Sequence, residues 1–201
     1  MLENGLLFLD EAKGYDFLSQ PLPLIERGKM NKKLTINTLT KIAILAALSV
    51  VLRRYFTITI PVNKKLGIGY IPIIMSGILY GPSLGGITGA MADVVGMLLN
   101  PDGIFHPGFT FSAFLIGFLP GIVSFKIFHK NLDEKLNWII IISSILVFML
   151  VRLLVDSIWL VQYSKNPYWI YVLGRVPKQA IETVLNIFVL KILLPRIKKY
   201  A

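Results

Sequence analysis

The sequence predicts an all-α integral membrane protein, a compact bundle of six transmembrane helices with both termini cytoplasmic. Three observations predict it. The 201 residues are 55% hydrophobic at a mean hydropathy of +0.68, too apolar for an ordinary soluble domain. The apolar residues gather into runs near the roughly 20 residues that a helix needs to cross the hydrocarbon. Lysine and arginine concentrate at alternate ends of those runs, the pattern that marks cytoplasmic flanks.

Residues 1–33 form a peripheral extension. They carry acids and prolines and lack the basic start and clean apolar stretch of a signal peptide. Met30 opens a second start, with cations, a threonine-rich helix entry and an apolar span after it, so the extension is also consistent with a start-site artefact. The membrane domain occupies residues 34–201. Leu34 to Leu52, Phe109 to Phe128 and Trp138 to Leu160 are long and nearly uncharged, and Val172 to Leu194 is more polar at its start. Leu66 to Tyr80 and Leu84 to Leu99 are shorter and rich in Gly, Ala, Met and Ser. A Gly-Pro-Ser turn at 81–83 joins them into a tight helical hairpin.

With six spans both ends share a side. Arg27, Lys29, Lys32, Lys33 and Lys41 flank the first span. Lys126, Lys130 and Lys135 lie between the fourth and fifth, and Lys191, Arg196, Lys198 and Lys199 follow the sixth. These flanks are expected in the cytoplasm. The segments around 53–67, 100–108 and 161–173 are expected outside, and the first of them, from Tyr55 to Gly67, reads either as a flap over a bound solute or as a passive connector.

Composition also excludes. The absence of cysteine removes disulfides, thiolate metal sites and thiol nucleophiles. The net charge of +10 sits at the ends of apolar runs and builds no basic face with interleaved aromatics, which argues against nucleic acid. There is no phosphate-binding GxxxxGK[ST] loop, no HExxH helix and no GxSxG elbow. His106 and His129 are isolated, so no metal, no cofactor and no catalytic group are expected.

A charge at membrane depth is costly and normally faces a partner or a cavity. Arg53 and Arg54 end the first span, Asp93 lies in the second half of the third and Asp156 in the second half of the fifth. Arg175, Lys178, Gln179 and Glu182 fall in the first half of the sixth. All map to the outer half. Arg152, nearer mid-depth, stands four residues before Asp156 on one helix face. Each residue alone reads equally as a structural ion pair or a snorkelling cation. Together they predict a polar cavity open to the outside, with Asn100, Asp102 and His106 at its mouth. The candidate ligand contacts are Arg53, Arg54, Asp93, His106, Phe109, Arg152, Asp156, Arg175, Gln179 and Glu182.

The stretch LGIGYIPIIMSGILYGPSLGGITGAMADVVGML, followed by NPDGIFHPGFTFSAFLIGFLPGI, resembles the folate-family S components of energy-coupling factor transporters. The likeness runs from about Leu34 to the carboxyl end, and the family's AxxxA pattern is matched by Ala43 and Ala47. The resemblance implies a multi-pass subunit in the plasma membrane of a bacterium. It implies tight vitamin binding from outside, and assembly with a transmembrane coupling subunit and two cytoplasmic ATPases. The subunit is expected to topple within the bilayer, with Ala43 and Ala47 docking the coupling subunit; spacing alone fits internal packing equally well.

With folate as the solute, Asp93, Asp156 or Glu182 accepts hydrogen bonds from the pterin. Arg53, Arg54, Arg152 or Arg175 clamps the dianionic tail. Phe105, Phe109, Phe111, Trp159 and Tyr168 lie at heights suited to stacking. The alternatives left open are another vitamin, such as pantothenate or riboflavin, a self-sufficient carrier or channel, and a membrane-embedded enzyme.

Overall fold

The computed structural model describes residues 36–60, 64–99, 106–129, 131–132, 134–162 and 167–198. Among the described residues six helical elements form the bundle. They are α1 (Ile36–Tyr55), α2 (Ile71–Tyr80), α3 (Pro82–Leu99), α4 (Pro107–Ile122, continued as a π-helix over Val123–Ile127), α5 and α6 (Tyr168–Ile197). Helix α5 runs from Leu136 to Leu146, widens into a π-helix over Val147–Val155, and returns to α-helix over Asp156–Val161. Helices α1, α3, α4 and α5 are each long and apolar enough to cross a membrane. The extension, and with it Leu34, lies outside the described residues.

The segment after α1 departs from expectation. A helix was expected from Leu66; instead β1 (Thr57–Ile60) pairs antiparallel with β2 (Lys64–Gly67), in the register Thr57 to Gly67 through Ile60 to Lys64. The alternating Thr-Ile-Thr-Ile suits a strand, and Pro72 in the first turn of α2 fixes where that helix starts. Gly69 lies so close to the α1 backbone at Arg53 that a Cβ there would collide with it. The Ser49 hydroxyl then donates to the Gly69 carbonyl (2.6 Å).

Helix α2 has only 10 residues, about 15 Å at 1.5 Å per residue and half of a ~30 Å hydrocarbon core. Its start therefore lies deep, and the space beyond it is left to the hairpin and to side chains from α1, α3, α4 and α5. At the other end α2, α3 and α4 touch backbone to backbone. A Cβ on Gly117 would strike the Gly85 carbonyl, and one on Gly77 would strike the Gly117 carbonyl. Small residues permit this approach where apolar burial gives no drive for helices to associate.

Helix α6 shows the resulting division most simply. Its buried stripe is Val172, Gln179, Glu182, Asn186, Leu190 and Leu194, spaced by three, four and seven along one face. The stripe is polar from Gln179 to Asn186 and apolar beyond it, at Leu190 and Leu194. The leucines join Leu136, Ile139, Ile140, Ile74 and Ile78 in a continuous core. The apolar residues that remain exposed, such as Ile44, Leu48, Leu98, Trp138, Val184 and Phe188, coat the bundle as lipid requires.

Candidate functional site

The end of the bundle where α1, α3 and α5 finish and α4 and α6 begin holds a cavity of about 240 Å³. It is lined by Arg53, Arg54, Tyr70, Asp93, Met97, His106, Phe109, Ser112, Ala113, Ile116, Arg152 and Asp156. A smaller chamber of about 20 Å³ lies among α2, α5 and α6, lined by Ser144, Phe148, Gln179, Glu182, Thr183, Asn186 and others. Tyr70 and Arg152 line both spaces.

Tyr70, one residue ahead of α2, is the centre of the arrangement. Two guanidinium groups lie over its ring, with Arg53 Cζ 4.8 Å from the centroid and Arg152 Cζ 4.3 Å from it. The ring quadrupole attracts both cations and lets two like charges sit close. Each cation is also tied to acids. Arg53 pairs with Asp93 (3.1 Å), whose second oxygen accepts from the Thr110 hydroxyl (2.9 Å). Arg54 donates to the Gly96 carbonyl (2.6 Å).

Arg152 spends every nitrogen. Nη1 donates to the Tyr70 hydroxyl (2.9 Å) and to Asp156 (2.9 Å); Nη2 reaches Glu182 (3.4 Å), and Nε reaches Gln179 (3.3 Å). Asp156 also pairs with Arg175 (3.4 Å), and Glu182 accepts from the Gly67 backbone N–H (3.2 Å), tying the hairpin to α6. The π-helix in α5 carries Arg152 within this network, in keeping with the tendency of such segments to fall at functional sites.

Four arginines thus meet three carboxylates, and the spare donors are specific. Arg53 Nε and Nη2 are buried without a partner among the described residues, and so is Asp156 Oδ1. A cavity wall with an excess of guanidinium groups suits an anion, best a carboxylate or phosphate held bidentately. At the rim, His106 caps α4: its Nδ1 accepts from the Gly108 N–H (3.0 Å). That leaves Nε2 to donate to Gln162 Oε1 (2.9 Å). Trp159 packs beside the imidazole and donates to the Ser112 hydroxyl (3.1 Å).

Residues 37–194 match the family model for the ECF transporter substrate-specific component. The chain belongs to that family. The folate transporter FolT of Clostridium novyi (strain NT) is 34% identical over 146 residues, covering 73% of this chain and 81% of that protein. FolT of Leuconostoc mesenteroides subsp. mesenteroides is 26% identical over 155 residues, 76% and 80% of the two chains. Among solved structures, a crystal structure of FolT bound with folic acid superposes with a TM-score of 0.66 at 27% identity, covering 80% of this chain and 93% of that one. The S component of a bacterial ECF transporter gives a TM-score of 0.61 at 22% identity, covering 82% and 97%, a likeness of fold.

Of the ten expected contacts of this substrate-specific component, Arg53, Arg54, Asp93, His106, Phe109, Arg152 and Asp156 line the larger cavity. Gln179 and Glu182 line the inner chamber with Arg152, and Arg175 lines neither space but pairs with Asp156 on the wall of the larger cavity. Sequence reasoning missed Tyr70, Met97, Ser112, Ser144 and Asn186. Of the other aromatics, Phe111 is exposed and the Tyr168 hydroxyl donates to the Leu154 carbonyl. Asn100, Asp102 and Phe105 lie outside the described residues. Ala43 and Ala47 are exposed on α1, so neither packs inside the bundle. Among the described residues no three His, Cys, Asp or Glu side chains group to hold a metal.

Proposed function

We propose that this chain binds folate from the outer face of the membrane and serves as the substrate-specificity subunit of an ATP-driven vitamin transporter. The observation that carries the reading is the arginine-rich cavity. Arg53, Arg54 and Arg152 line it, and among the described residues two donors of Arg53 have no partner and the carboxylates are paired except for Asp156 Oδ1. A dianionic glutamate tail meets the spare guanidinium donors, and Asp156 Oδ1 takes a ligand N–H. The relatives that carry the name folate transporter support the solute.

The ten named residues act in this reading as ligand contacts or as their immediate supports. Both termini face the cytoplasm of a bacterium, since Lys126, Lys135, Lys191 and Arg196 lie at the end of the bundle away from the cavity. Energy comes from partners, a transmembrane coupling subunit and two cytoplasmic ATPases. The exposure of Ala43 and Ala47 favours that strip of α1 as the docking face.

Calorimetric titration of the detergent-solubilised protein with folic acid, thiamine, riboflavin and pantothenate tests the solute. Tight binding of folic acid alone is expected. Tight binding of another vitamin overturns the solute, and silence from all four overturns the site.

A further inference from the structure

Asp93 was expected to accept hydrogen bonds from a ligand, yet both of its oxygens are taken within the chain. Oδ1 pairs with Arg53 Nη1 (3.1 Å), and Oδ2 accepts from the Thr110 hydroxyl (2.9 Å). Thr110 itself lines neither space. The packing of α3 on α4 brings this pair together. A Cβ on Gly89 would strike the Ala113 carbonyl, and one on Gly117 would strike the Gly85 carbonyl. The contacts of 85 with 117, 89 with 113 and 93 with 110 run in opposite senses along the two helices, one turn apart. A seam of small residues thus carries the hydroxyl to the acid. Arg53 is fixed as firmly, with its backbone against Gly69, its guanidinium over the Tyr70 ring and Nη1 on Asp93. What remains is Nε and Nη2, buried without a partner among the described residues. These two groups share one edge of the guanidinium plane, a fork that matches the two oxygens of a carboxylate.

We propose that Thr110 is a positioning residue: by holding Asp93 Oδ2 it stops the acid from turning its second oxygen onto Arg53, and so keeps the Nε and Nη2 edge for a carboxylate of the ligand. Asp93 now meets Arg53 through one oxygen only, and a carboxylate free to turn beside a guanidinium closes to the stronger bidentate pair. Without the hydroxyl, Asp93 takes that arrangement through Nη2, and the ligand meets a donor already occupied. Asp93 is in this account the acid that aims Arg53, and it touches no ligand. The Thr110 hydroxyl acts on affinity for an anionic tail and leaves stability nearly untouched, because Oδ2 exchanges one partner for another. This inference rests on the folate reading of the site and names how one tail carboxylate is held.

Calorimetry compares folic acid with its bis-amide, in which both tail carboxylates are amides, on wild type, Thr110→Val, Thr110→Ser and Arg53→Met. Thr110→Val is expected to weaken folic acid binding about three- to tenfold and bis-amide binding less than about twofold, with a melting temperature within about 2 °C of wild type. Thr110→Ser, which restores the hydroxyl, returns folic acid affinity to within about twofold of wild type. In the Arg53→Met background Thr110→Val has no further effect, since the group it positions is gone. Unchanged folic acid affinity in Thr110→Val overturns the proposal. Equal weakening of both probes, or a full additional loss in the Arg53→Met background, also overturns it. Thr110→Ala deletes the same hydroxyl and supplies the measurement if Thr110→Val does not fold. A wild type that binds no folic acid overturns the solute and this inference with it, a result distinct from failure of the inference alone, in which wild type and Thr110→Val bind folic acid alike.

Discussion

Arg152→Met tests whether the cavity is held open by its own charge network. The substitution keeps an unbranched apolar stem and deletes a guanidinium whose side chain is 12% exposed, facing carboxylates that are 5% exposed. Removing one member of a buried ion pair costs about 3–5 kcal/mol, because the other charge is left uncompensated. Two residual contacts moderate this, Arg175 on Asp156 and the Gly67 N–H on Glu182, which places the loss near the lower end, about 3 kcal/mol. At roughly 2–4 °C per kcal/mol for a chain of this size, the melting temperature falls about 6–12 °C. Scanning fluorimetry in detergent measures it. Adding Glu182→Gln should recover part of the loss by removing one stranded charge. A melting temperature within about 2 °C of wild type would refute the reasoning and make Arg152 a ligand group with no structural share.

Arg53→Met should destabilise less, about 1.5–3 kcal/mol, since Asp93 keeps the Thr110 hydroxyl, while calorimetry shows folic acid affinity falling about 30-fold or more. Ala43→Leu with Ala47→Leu should leave folic acid binding intact and abolish uptake in vesicles containing the partner subunits; undiminished uptake would refute the docking role. Gly117→Ala drives a methyl into the Gly85 carbonyl, so the yield of monodisperse protein on size-exclusion chromatography should collapse. His106→Ala deletes the α4 cap, costing about 1 kcal/mol, read as a fall of a few degrees in melting temperature.

The helices were legible because membrane spans announce themselves by length and hydropathy, and α1, α3, α4 and α5 start and stop within a few residues of their apolar runs. The charged part of the site was legible for the complementary reason: Arg53, Asp93, Arg152, Asp156 and Glu182 stand out against such a background. Tyr70, Met97 and Ser144 did not, because serine, methionine and tyrosine are ordinary in spans, and only the fold shows which face the cavity. Asn186 was reachable, since it continues the Gln179 and Glu182 face by four residues. The hairpin gave a four-residue alternation, too short to outweigh the neighbouring glycines and Pro61, and the π-helix in α5 has no composition of its own.

That π-helix also sets a phase. Its nine residues, Val147–Val155, separate the serines at 143 and 144 from Asp156, so the count of residues between them decides which way each end faces. Deleting one lipid-facing residue, such as Met149, leaves hydropathy and charge intact. It also turns everything beyond by roughly 100° relative to what precedes it, carrying Arg152 away from Tyr70. In this subunit chain length within a span thus decides which side chains meet, and a single-codon deletion at a residue that lines neither space should silence binding as thoroughly as the loss of an arginine.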